Sequence, residues 1–72
     1  MDVELREQAI ARLVRDIEWV QEFEVAGLPL DADVNFGVVA RTLGTTPERV
    51  AAAVRQYNGD AVAVVAAIEG VA

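Results

Sequence analysis

Twelve Asp and Glu side chains are the groups through which this 72-residue chain could move a proton or hold a cation. It contains no cysteine, histidine, lysine or serine, which removes thiolate and serine nucleophiles, Schiff bases, the commonest general base and the usual zinc ligands. Glu18, Glu22 and Glu24 form the one acidic group that suggests a cation site, yet carboxylates so placed are those of a solvated helix face. The remaining acids fall mostly on that face or at helix starts, where a structural role suffices. The expectation is a protein with no catalytic residues, no metal, no cofactor and no small-molecule substrate.

Recognition chemistry is left to apolar and arginine side chains. Net charge is −6 and the sequence pI is near 4.3, which opposes non-specific attraction to phosphate backbones and anionic lipid and favours a protein partner. Residues 1 to 24 hold seven acids and three arginines, against five and three in residues 25 to 72, so the C-terminal part is close to neutral. No basic leader precedes an apolar run and no stretch approaches the roughly 18 apolar residues that span a bilayer, so a cytoplasmic location is expected. Arginine as the sole basic residue, in a background of alanine and valine, suggests a bacterial or phage source.

The elements that must position these groups read as helices throughout. Asp2 is a candidate N-cap, and no proline or glycine interrupts the pattern until after Ala26. Val3, Ile10, Leu13, Val14, Ile17 and Val20 share one side of this helix, Leu5, Trp19 and Phe23 a neighbouring strip, and Glu4, Arg15, Glu18 and Glu22 the opposite side. At about 1.5 Å per residue the rod is roughly 36 Å long, enough to overhang the shorter helices after it and offer its second strip to another copy. Trp19 and Phe23 could alternatively lid the core, the default role for a small domain's single tryptophan.

Gly27 and Pro29 end the rod, with Leu28 and Leu30 expected to tuck into the core across a linker over 27–32. A three-helix unit then fills 33–72. Asp31 or Asp33 caps its first helix, whose inner face is Phe36, Val39, Ala40 and Leu43, and Gly44 stops it. Thr46-Pro47-Glu48 starts the second, with Val50, Ala53, Val54 and Tyr57 inward; Asn58-Gly59 closes it before Asp60 caps the last. Ala61 to Ile68 lacks any polar side chain. A helix apolar all round requires cover on both flanks, so Val62, Ala63 and Ala66, outside its inner face of Ala61, Val64, Val65 and Ile68, call for a partner surface, supplied by the leading helix, a second copy or a foreign protein. The alanine-rich core is thin, and a chain this short removes only about 60% of its unfolded surface on folding.

From Leu43 onward the pattern resembles the ubiquitin-associated fold and its relative, the N-terminal domain of elongation factor Ts. The residues that carry the likeness are Leu43-Gly44-Thr45, Ala53-Val54, Asn58-Gly59-Asp60, then Val64-Val65 and Ile68, over about residues 33 to 70. The resemblance implies a protein-docking module that uses Leu43, Gly44 and Thr45 with Val62 and Ala66 on the last helix. Thr45 departs from the aromatic residue usual in ubiquitin-binding members, so the fold and docking surface carry over and the ligand does not. A competing resemblance is to a helix-turn-helix, through Ala40, Gly44 and Val50 at the motif's intervals. That reading would make Arg49, Arg55 and Gln56 the base-reading side chains and Arg41 a phosphate contact. Six positive residues against twelve negative ones, with Ala51 and Ala52 on the recognition helix, argue against nucleic acid.

Together these features lead to an all-α protein, a long N-terminal amphipathic helix (1–26) and a compact ubiquitin-associated-like three-helix bundle. It is expected to be a non-catalytic protein–protein interaction module, self-associating as a two-fold homodimer through Leu5, Trp19 and Phe23. The alternative is a helix-turn-helix DNA-binding regulator.

Overall fold

The computed structural model describes residues 2 to 70 and contains four helices: α1 (Val3–Ala26), α2 (Ala32–Leu43), α3 (Pro47–Gln56) and α4 (Ala61–Glu69). Among the described residues there is no strand, so the chain is all-α. Each helix starts where a side chain can satisfy its orphan N–H groups. Asp2, Asp31, Thr46 and Asp60 accept from Glu4, Asp33, Arg49 and Ala63 backbone N–H groups respectively. Gly27, Gly44 and Gly70 close α1, α2 and α4 in the left-handed conformation.

α1 fixes the long dimension of a molecule measuring 36 × 19 × 18 Å, and the other helices pack along it. Leu13 and Ile17 of α1 share one core with Phe36, Val39 and Ala40 of α2, Val50 of α3, and Ala61, Val64 and Val65 of α4. The largest fully buried side chains are one leucine and four valines, Leu13, Val39, Val50, Val64 and Val65. The rod is therefore part of the fold's own core. Arg6 Nε donates to Glu69 Oε1 at 2.9 Å, joining the N-terminal part of α1 to the end of α4. Further along, the turn between α3 and α4 comes so close to α1 that a Cβ on Gly59 would lie 3.5 Å from Ile17 Cγ2.

Two expectations are corrected by this packing and a third is narrowed. Val3 and Val14 are exposed and Ala9 and Asp16 are buried in their place. The face α1 turns inward is rotated by roughly 60° from the hydrophobic stripe, because it must meet α2 and α4 together. Leu28 and Leu30 do not enter the core; both are about half exposed, at 51% and 48%. Gly27 and Leu28 donate their N–H groups back to Glu24 and Phe23, so the chain leaves α1 on the surface, and Phe36 fills the interior beneath. The third concerns α4, which packs on α1, α2 and α3. Its two flanks find most of their cover inside the chain. Ala63 and Ala66 are half-buried and Val62 alone of the outward trio is exposed, at 61%.

Candidate functional site: the seam between α1 and α2

α1 and α2 run antiparallel, and the line where they meet carries the structure's clearest unpartnered apolar surface. Leu5 lies beside Val38 and Thr42 at one end, with Ala9 as the floor between the helices. At the other end, Trp19 and Phe23 lie beside Val34 and Asn35. Val34 and Val38, one turn apart on α2, are exposed together with Leu5 and Trp19. A surface of this kind, on two adjacent helices, is characteristic of an interface. Trp19 does not lid the core: it is 54% exposed and leans its ring on Phe23, the centroids 5.7 Å apart at 59°.

At the middle of the seam stands a charge. Asp16 is only 7% exposed, and its Oδ1 accepts from Arg12 Nε at 3.1 Å one turn earlier. Its Oδ2 is buried with no hydrogen-bond partner among the described residues. Burial pushes the Asp16 carboxyl above the usual carboxylate range, opposed by the charge and hydrogen bond of Arg12 and by the charge of Arg15. Val34 and Asn35 are what α2 turns toward this hollow, and neither is charged. Asp16 was missed by the sequence reading, which followed the apolar stripe; the signal present was an acid next to Ile17 with an arginine one helical turn before it.

The other predicted site residues lie elsewhere. At the end of α2 and in the loop that follows, Leu43 is half-buried against the core, Gly44 is exposed, and Thr45 has a buried hydroxyl with no partner among the described residues. Val62 and Ala66 are separate from the α1–α2 seam, on α4. Arg41, Arg49, Arg55 and Gln56 are all exposed, but on different surfaces. Arg49 and Gln56 border a shallow depression with Ala52 and Ile68, whereas Arg55 faces the Val20–Leu30–Val54 cleft that Glu24 also lines. Arg41 lies along α2 beside Gly37. No group of acidic side chains among the described residues is arranged to hold a metal ion, and no described helix is long and apolar enough to cross a membrane.

Comparison with protein-family models, with curated proteins and with solved structures returns no match.

Proposed function

We propose that this chain is a non-catalytic protein–protein interaction module that associates with itself through the α1–α2 seam. The observation that carries the reading is the exposure of Leu5, Trp19, Val34 and Val38 on two neighbouring helices, with Phe23 beside them. Trp and Phe are enriched in interface cores, where they contribute large contact area with little loss of side-chain freedom. A second, foreign protein partner is assigned to the ubiquitin-associated-like unit, at Leu43, Gly44, Thr45, Val62 and Ala66. That assignment is supported by the tight turns at Gly44 and at Asn58-Gly59 and by the exposure of Val62. The proposed setting is bacterial or phage cytoplasm, on compositional grounds.

The DNA-binding alternative has in its favour the exposure of all four candidate contact residues, Arg41, Arg49, Arg55 and Gln56. Their scatter over separate surfaces and the net charge of −6 weigh against it. Light scattering coupled to size exclusion tests the leading reading: a dimer is expected at high micromolar concentration, and a monomer there contradicts it. A low-salt mobility-shift titration is expected to show no binding; a salt-sensitive shift abolished by Arg49→Ala favours the regulator.

A further inference from the structure

The outer face of α2 carries two valines where a solvated helix would place polar side chains. Phe36, Val39, Ala40 and Leu43 turn to the core, and at about 100° per residue Asp31, Val34, Val38 and Arg41 fall on the opposite side, within an arc of roughly 80°. All four are exposed, Val34 at 75% and Val38 at 40%. Their intervals are three, four and three residues, the heptad spacing with which two helices pack side by side.

Acid, valine, valine, arginine is also a self-complementary order. A second α2 laid antiparallel about the level of Phe36 sets Val34 on Val38 and Asp31 opposite Arg41, twice over. Both charges are available for this. Among the described residues the ion pairs are Arg6–Glu69 and Arg12–Asp16, so neither Asp31 nor Arg41 has a charged partner within the chain. Asp31 is held in place by its capping bond, Oδ1 accepting from the Asp33 N–H at 2.9 Å. Parallel pairing would instead set Asp31 against Asp31 and Arg41 against Arg41, which disfavours it. The acids behind the net charge of −6 do not crowd this face: Glu18 and Glu22 border a separate depression with Val25.

We propose that the self-associated form is built on α2, paired antiparallel with α2 of a second copy through Val34 and Val38 and clamped at each end by Asp31 and Arg41. α1 widens the contact. Trp19 stands beside Val34 and Leu5 beside Val38, so the two-fold axis carries Trp19 of each copy to the end where Leu5 of the other stands. Only exposed side chains are asked to meet, and each chain's own core stays closed. Two α1–α2 hairpins stacked in this way form a four-helix layer, and an isologous contact of this kind stops at two copies.

This inference rests on the self-association reading, and the two fail separately. Arg41→Glu, checked for helicity, sets a carboxylate opposite Asp31 and is expected to raise the dimer dissociation constant about tenfold, read by light scattering over a concentration series. Adding Asp31→Asn, which keeps a capping side chain, is expected to recover most of that loss; adding Asp33→Asn, the same change of charge off the strip, is expected to recover none. Asp31 and Arg41 of one chain lie roughly 15 Å apart, beyond the screening length at physiological salt, so recovery reports contact between copies. An unchanged constant in Arg41→Glu, or equal recovery from Asp31→Asn and Asp33→Asn, overturns the antiparallel pairing and leaves self-association standing. The chain has no cysteine, so Val34→Cys mixed with Val38→Cys is expected to give a covalent heterodimer under mild oxidation. Arg41→Cys linking readily to itself overturns the register, since antiparallel copies hold those positions roughly 15 Å apart along the axis. A wild-type chain that stays monomeric at high micromolar concentration overturns both and leaves this face to a different protein.

Discussion

Asp16 concentrates the energetics of the seam in one side chain. A buried carboxylate with a single partner is costly in an isolated chain, because desolvation disfavours the ionised form that Arg12 only partly compensates. With its folded pKa above the unfolded value, Asp16 binds its proton more tightly when folded, so its contribution favours the folded state as pH falls toward the ordinary carboxylate range. That contribution is lost as pH rises through the folded pKa. Asp16→Asn is therefore expected to stabilise the monomer at neutral pH and to flatten the stability profile in mildly acidic solution. Urea unfolding at several pH values, at concentrations where the chain is monomeric, checks this; a variant less stable than wild type at pH 7 contradicts it. Residue type and position were enough to nominate Leu5, Trp19 and Phe23 as one strip. They were not enough to find Asp16 or Ala9, because which acid becomes buried depends on the angle at which α2 meets α1.

Helix boundaries were legible because they are decided locally. An Asp or Thr that caps, a proline at the first turn of α3 and a glycine in left-handed conformation are each a single residue acting on its own neighbours. Gly44 illustrates the stop signal. Its φ is 69° and a Cβ there would touch nothing within 4 Å, so replacement costs only backbone strain. Gly44→Ala is expected to lower stability by about 1 kcal/mol without altering the seam. Thermal unfolding by circular dichroism measures this, and an unchanged midpoint contradicts the assigned conformation. The α1–α2 connection was read less well. Leu28 and Leu30 are apolar, but their exposure is set by where the core is already full, and sequence carries no record of that.

In the whole molecule, α1 converts three short helices with an alanine-rich interior into one core. Ala61, Val64 and Val65 of α4 are buried against it and its neighbours, which largely meets the demand that an all-apolar helix makes. Cover for α4 was expected from the sequence, with α1 as one of its candidate sources; that α1 and α3 share it within the chain is set by packing and could not be read from periodicity. Leu13, wholly buried and the one leucine among the largest fully buried residues, is the pivot. Leu13→Ala is expected to cost about 2–5 kcal/mol, roughly the entire stability of so small a domain, and to leave the chain substantially unfolded at room temperature. A native-like circular dichroism spectrum and unfolding midpoint for that variant contradict the shared core.

Self-association through the seam has a built-in reporter, since Trp19 is the chain's single tryptophan and stands half exposed within the proposed contact. The decisive experiment follows its emission from nanomolar to high micromolar concentration. Burial of Trp19 against a second copy predicts a progressive shift of the emission maximum to shorter wavelength as concentration rises. An emission maximum that stays at the wavelength of a solvent-exposed indole at every concentration contradicts it.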